Sequence, residues 1–116
     1  MKDLHIDLEF RGNIQLIRLQ GVLDMYSAPR LESQLQTLFQ QGRYCVVIEC
    51  SQLDFIGSTV LGILIGFAKQ ARDHDGDLKL LRVPERIYKI IELLGFTKVL
   101  QVYNAEKTAL ASFQKP

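Results

Sequence analysis

No charge of either sign dominates this chain: 14 Lys and Arg stand against 13 Asp and Glu, for a net charge of +1. A near-neutral domain has no electrostatic footprint for nucleic acid or for an anionic membrane. No apolar run approaches the roughly 20 residues needed to cross a bilayer, and the opening Met1-Lys2-Asp3-Leu4-His5 lacks the apolar core of a secretion signal. The expectation is a soluble cytoplasmic protein without membrane insertion. Cysteine is scarce too. Cys45 and Cys50 lie five residues apart, which places them on opposite faces of a strand and disfavours a bridge between them. They read as two free, buried or half-buried thiols. The two histidines, His5 and His74, have no Cys or His neighbours at ligand spacing, so no metal is expected.

Catalytic signatures are also missing. Gly57-x-x-x-x-Gly62 is followed by Ile63 instead of the lysine of a phosphate-cradling loop, and there is no G-x-G-x-x-G. Ser58 lacks the glycine pattern of a nucleophile elbow, and neither histidine has local context marking it as its base. These absences argue against an enzyme and against a cofactor. Nucleotide binding at a helix N-terminus is the remaining small-molecule reading.

What is present is a single domain's worth of residues, 116 in all, 47% hydrophobic and 23% charged. That composition fills one core. One domain over 1–116 is expected, with no linker or repeat. Leu4, Ile6, Leu8 and Phe10 alternate with polar residues as in a strand with one buried face. Arg11-Gly12-Asn13 signals a tight turn. The strand after it, Ile14 to Leu19, slips in its alternation at Leu16-Ile17, which predicts burial on both faces or a bulge. Gly21 to Tyr26 reads as a loop. Ser27 is the expected cap of a helix whose stripe is Leu31, Leu35, Leu38 and Phe39, with Pro29 in the first turn and Gly42 at its end.

Cys45-Val46-Val47-Ile48 fits a strand buried on both faces. A helix from Ser58 to about Asp73 carries Leu61, Leu64, Ile65, Ala68 and Ala71 on its inner stripe. Gly62 and Gly66 lie one turn apart on it, where they weaken helix propensity, and suit close packing on a sheet or a flat outer surface. Further elements are a strand from Leu78 to Val83, a helix from Pro84 closed by Gly95, a strand from Val99 to Tyr103 and a helix capped by Asn104. The order β-β-α-β-α-β-α-β-α predicts an α/β fold. It has an N-terminal antiparallel hairpin, then largely parallel β/α units, with about four helices packed on a mixed sheet.

Leu53-Asp54-Phe55-Ile56-Gly57-Ser58-Thr59-Val60-Leu61-Gly62 concentrates the interest. It places two adjacent hydroxyls at a helix N-terminus, where backbone N–H groups have no intrahelical partner and the dipole is positive. Ser58 there is either a helix cap or an exposed acceptor for a phosphate. Loops after parallel strands gather at one end of a sheet, which would join Asp24, Tyr26, Gly57, Ser58 and Thr59 in one surface. Ile63 and Phe67 either extend it as an apolar patch or cover the core.

Three segments resemble the STAS domain family, and within it the small bacterial anti-sigma factor antagonists. Leu19-Gln20-Gly21-Val22-Leu23-Asp24 with Ala28-Pro29-Arg30-Leu31 is similar to the family's Leu-x-Gly-x-Leu-Asp segment. Leu53 to Gly62 is similar to its Leu-x-Phe-Ile-Asp-Ser-Ser/Thr-Gly-Leu-Gly segment, and Leu94-Gly95-Phe96-Thr97-Lys98-Val99-Leu100 to its C-terminal part. The resemblance implies a regulatory binding protein that docks on a partner combining anti-sigma factor and serine kinase. Ser58 would be the phosphoacceptor, Thr59 the lesser candidate, and a serine phosphatase the second partner. Asp24, Tyr26, Gly57, Ser58, Thr59, Leu61 and Gly62 would form the docking surface. Two residues depart from the family pattern: Gly57 stands where it has Asp, and Val60 where it has Gly. The alternative within the same family is an unphosphorylated interaction subunit of a transporter or signalling complex.

Overall fold

The structure, a computed structural model, describes residues 3–113. Met1 and Lys2, which opened the reading of the N-terminus, lie outside the described residues. Five strands form one sheet in the order of the chain: β1 (Leu4–Arg11), β2 (Ile14–Leu23), β3 (Cys45–Ile56), β4 (Asp77–Leu81) and β5 (Val102–Tyr103). The hairpin β1–β2 is antiparallel and every later pairing is parallel, as the β/α alternation predicts. Each crossover steps one strand further in the same direction. Right-handed connections that never reverse place their helices on one face. Accordingly α1 (Ala28–Gln40), α2 (Ser58–Arg72) and α3 (Glu85–Leu93) share one core with the strands. Among the described residues the other face meets the short α4 (Glu106–Ala111).

This two-sidedness explains the slip at Leu16-Ile17. Ile17 packs under α1 and α2, Leu16 packs under α4, and both are fully buried. In β3 likewise, Val46 and Ile48 face the large core while Val47 faces Ala109 of α4. The α1 stripe falls where periodicity puts it, with Leu31, Leu35, Leu38 and Phe39 buried; in α2 Leu61, Leu64, Ala68 and Ala71 are buried as expected, joined by Val60, while Ile65 is only partly buried against the core.

Four boundaries differ from the sequence reading; the simplest is β4, expected from Leu78 to Val83, which ends at Leu81 before Arg82 at φ 51°. β2 continues through Gly21 to Leu23, because a bulged parallel ladder to β3 keeps its backbone paired where the local pattern signals a loop. β3 extends beyond Ile48 to Ile56 for the same reason. The last strand shrinks to Val102–Tyr103, because Phe96–Lys98 forms a 3-10 turn after Gly95, which adopts φ 76°.

The two expected side-chain caps are absent. Ser27 sits at the N-cap of α1 in a helical conformation, and its hydroxyl donates instead to the Val22 carbonyl at 2.8 Å. Ala105, not Asn104, precedes α4, again without a side-chain cap.

Candidate functional site

Gly21 is where the site begins. At φ 109°, a Cβ on it would lie 1.9 Å from the Asp3 carbonyl oxygen, so only glycine allows the start of β1 to pass this close to the bulge in β2. The bulge turns β2 so that its end meets the end of β3. There the Gly57 N–H donates to the Leu23 carbonyl at 2.9 Å, tying the loop after β2 to the turn before α2. One hydrogen bond thus brings the Asp24–Tyr26 loop beside the Gly57–Thr59 turn, as the α/β topology predicts.

In the first loop Asp24 is an internal strut. Its carboxylate accepts the backbone N–H groups of Ser27 and Tyr26, both at 3.0 Å, and lies 3.2 Å from the Ser27 hydroxyl oxygen, whose proton goes to Val22. The Ser27 hydroxyl oxygen accepts the Asp24 N–H at 3.0 Å in return. The Ser27 N–H is the main cause holding the Asp24 carboxyl below its usual value, with the Tyr26 N–H acting in the same sense. The loop's apolar side chains, Met25 and Tyr26, point out instead, 69% and 94% exposed.

In the second loop Gly57 is the N-cap of α2, extended at φ −76° and ψ 144°, with no side-chain cap. Ser58 is the first helical residue. It is exposed, and among the described residues its hydroxyl has no hydrogen-bond partner. The cap reading therefore gives way to an open hydroxyl. The first ladder bond of α2 runs from the Leu61 N–H to the Gly57 carbonyl at 3.1 Å, which leaves the N–H groups of Ser58, Thr59 and Val60 without intrahelical acceptors. Thr59 and Gly62 are exposed beside it.

One expectation on this helix is corrected. Leu61, taken as part of the docking surface, is fully buried, because it follows Val60 on the inward stripe and packs in the main core. Val60 is also buried, at 1% exposure, so its branched side chain does not crowd the approach to Ser58. Ile63 is only half-exposed, and Phe67 packs edge-on against Phe39 at 5.7 Å, so they do not supply an open apolar patch. The exposed apolar side chains here are Met25, Tyr26 and Phe55. Phe55 is 48% exposed, and its ring edge lies 3.9 Å from where a Cβ on Gly57 would stand. Sequence reasoning missed Met25 and Phe55. The available signal was a large apolar side chain next to a loop carboxylate (Asp24, Asp54) just before a helix. Arg86 of α3 was also missed. Its guanidinium donates to the Asp54 carbonyl, placing a cation beside the turn.

Gly62 and Gly66 are exposed, and a Cβ on either would meet nothing within 4 Å. Of their two expected uses, packing on the sheet is therefore excluded and the flat outer surface remains.

A singly wound mixed sheet presents an exposed serine at a helix N-terminus, with exposed apolar side chains on the adjoining loops. The STAS domain profile matches residues 5–109, and the chain belongs to that family. Among its relatives is BtrV of Bordetella bronchiseptica, assigned as an anti-sigma factor antagonist, 32% identical over 96 residues, 83% of each chain. The fold is shared with an anti-sigma factor antagonist from Mycobacterium paratuberculosis (TM-score 0.86, 22% identity, 97% of this chain and 96% of that one). It is also shared with the phosphorylated form of the Bacillus cell fate determinant SpoIIAA (TM-score 0.73, 20% identity, 95% and 100%).

Proposed function

We propose that this protein is an anti-sigma factor antagonist. It docks through the Ser58 surface on a partner that is both anti-sigma factor and serine kinase, and is released when Ser58 is phosphorylated. The observation that carries the reading is the exposed Ser58 hydroxyl, without a hydrogen-bond partner at the first position of a 15-residue helix. Among the described residues no base is hydrogen-bonded to it; in this reading the chemistry there is supplied by another protein's active site, with this chain as substrate and ligand. A phosphate on Ser58 adds about −1.5 to −2 charge. The unpaired N–H groups of the first turn accommodate that charge at little cost to the fold. A partner covering the same surface would have to desolvate it.

Met25, Tyr26 and Phe55 are the apolar anchors in this reading, and Gly62 and Gly66 let a partner's backbone approach α2. A serine phosphatase resets the switch. The cytoplasm, where sigma factors act, is the matching compartment. The relatives' names and a solved neighbour described in a phosphorylated form support the assignment.

Gly57, where the family has an acid, favours a second reading: constitutive docking, with no phosphorylation, as a subunit of a transporter or signalling complex. Incubation with the candidate kinase and ATP, followed by intact-mass measurement, separates the two. One added phosphate, absent in Ser58→Ala, together with weakened binding by Ser58→Asp, supports the switch. No phosphate, with Ser58→Asp binding like wild type, sinks the switch and leaves the constitutive reading.

A further inference from the structure

The long edge strand β1 carries an open, apolar, self-complementary stretch at the opposite end from Ser58. The two-residue turn Gly12-Asn13 closes the hairpin at the Arg11–Ile14 pair. In an antiparallel ladder, directly paired residues alternate between bonding across to the partner and bonding outward. Counting from Arg11, the odd residues of β1 bond to β2. The Gln15 side-chain amide reports this alternation, because it reaches both carbonyls of the Glu9–Leu16 pair, at 2.8 and 3.4 Å. The even residues Leu4, Ile6, Leu8 and Phe10 therefore turn their backbone groups to the open edge.

Both ends of that edge are blocked. The Leu4 N–H donates to the Asp3 carboxylate at 2.8 Å, the Leu4 carbonyl accepts from Arg30, and the Phe10 carbonyl accepts from Arg11 at 3.1 Å. What stays open runs from Ile6 to the Phe10 N–H, and the exposed Arg11 guanidinium has to leave the Phe10 carbonyl for the last rung to form. The even side chains of this run lie on the helix face of the sheet beyond the cover of α1, with Leu8 44% and Phe10 53% exposed. A trough of about 450 Å³ runs between Ile6 and α1 at Pro29, Arg30 and Ser33. Natural edges are guarded by shortness, lysine or proline. The other edge, β5, is guarded by being two residues long, whereas the inner row Ile6, Leu8, Phe10 holds neither lysine nor proline and is shielded at its Phe10 end by the Arg43 guanidinium, 4.6 Å from the ring centre.

We infer that β1 pairs edge to edge with β1 of a second copy, antiparallel, about a two-fold axis at Leu8. Leu8 is the midpoint of the open run, so this register uses all of it. Leu8 faces Leu8 of the second copy, and Ile6 faces Phe10 in each direction, which makes a continuous apolar row across the seam. On the other face Asp7 falls opposite Glu9. That carboxylate is already matched by Arg11 at 2.8 Å and Arg18 at 2.9 Å, so the contact is not between two bare charges. A ladder of five residues a side is smaller than the roughly 20–30 residues a side of a standard interface, which makes the dimer weak and concentration-dependent. Because the ladder is antiparallel, the Ser58 ends of the two copies point in opposite directions along the seam. Both stay open, and the dimer presents two docking surfaces.

Sedimentation velocity from micromolar to millimolar protein, combined with amide hydrogen exchange, tests this. The expected result is a reversible dimer whose dissociation constant rises about tenfold or more in Leu8→Lys. Tyr26→Lys, at the other end of the molecule, should leave the dimer unchanged. With rising concentration the N–H groups of Ile6, Leu8 and Phe10 should gain protection, while those of Asp7 and Glu9, already bonded within the hairpin, should not. A chain that stays monomeric throughout overturns the inference. So does a dimer indifferent to Leu8→Lys in a variant with a native far-UV spectrum, or one without the alternating protection.

Discussion

At Gly57, the backbone permits more than the sequence uses. Its φ is negative, and an added Cβ would make only ordinary contacts, at 3.8 Å or more, with Val60, Phe55 and the Leu23 carbonyl. Glycine is therefore not required by the fold, in contrast to Gly21. Asp is a better N-cap than Gly by a few tenths of a kcal/mol and complements the helix dipole. Gly57→Asp is expected to fold normally and to raise the urea midpoint slightly. If the missing acid limits recognition by the kinase, the same variant will be phosphorylated faster at Ser58. Asp24 gives the complementary residue-scale prediction. Its pKa is held below the ordinary 3.8 in the folded state, so its stabilising effect is complete above that value and is lost as pH falls through the folded-state value. Glu9 is shifted the same way, chiefly by its hydrogen bonds from Arg18 and then Arg11. Melting temperature against pH should therefore decline on the acid side. Asp24→Asn should lower stability at neutral pH and flatten that limb in part, leaving the Glu9 contribution.

At the scale of elements, α2 shows how a helix can be tuned for its outer surface against its own stability. Gly62 and Gly66 each cost about 1 kcal/mol relative to alanine in a helix interior, and no internal contact requires them. Gly62→Ala with Gly66→Ala should raise the unfolding free energy by about 1–2 kcal/mol in urea titration. If this face docks a partner, the added methyl groups will weaken that binding in the more stable protein, and an unchanged affinity would move the interface off α2. Most elements were legible because their periods are unambiguous: α1 and α2 at helical spacing, β1 at strict alternation. What was not legible depended on long-range pairing. The extensions of β2 and β3 come from a ladder between segments some thirty residues apart, whose bulges hide the alternation. Of the site, the meeting of Asp24, Tyr26 and Ser58 followed from topology. The burial of Val60 and Leu61 is a matter of helix phase: with Gly57 as N-cap, Ser58 and Thr59 start on the outer side and the next two residues turn inward. Phe55 was hidden because the bulged end of β3 breaks the alternation that would otherwise have placed it outside.

For the molecule as a whole, the question is whether a charge at Ser58 would act locally or by reshaping the fold. The hydroxyl sits on the rim, while Val60 and Leu61, two and three residues further along α2, are anchored in the main core. Packed interiors resist small displacements, and nothing in the core is a partner of the hydroxyl that a phosphate would break. A charge on Ser58 is therefore expected to change the surface and not the core. Two variants, one position on the rim and one three residues deeper, make the comparison. Ser58→Asp should keep the wild-type unfolding free energy to within about 0.5 kcal/mol and the wild-type exchange protection in β3 and α2, while partner affinity falls. Leu61→Ala, which empties a fully buried site, should cost about 2–5 kcal/mol and lower binding only as far as it depletes the folded fraction. If Ser58→Asp instead loosens α2 or lowers stability as Leu61→Ala does, the switch works through the helix itself, and the surface-only mechanism fails.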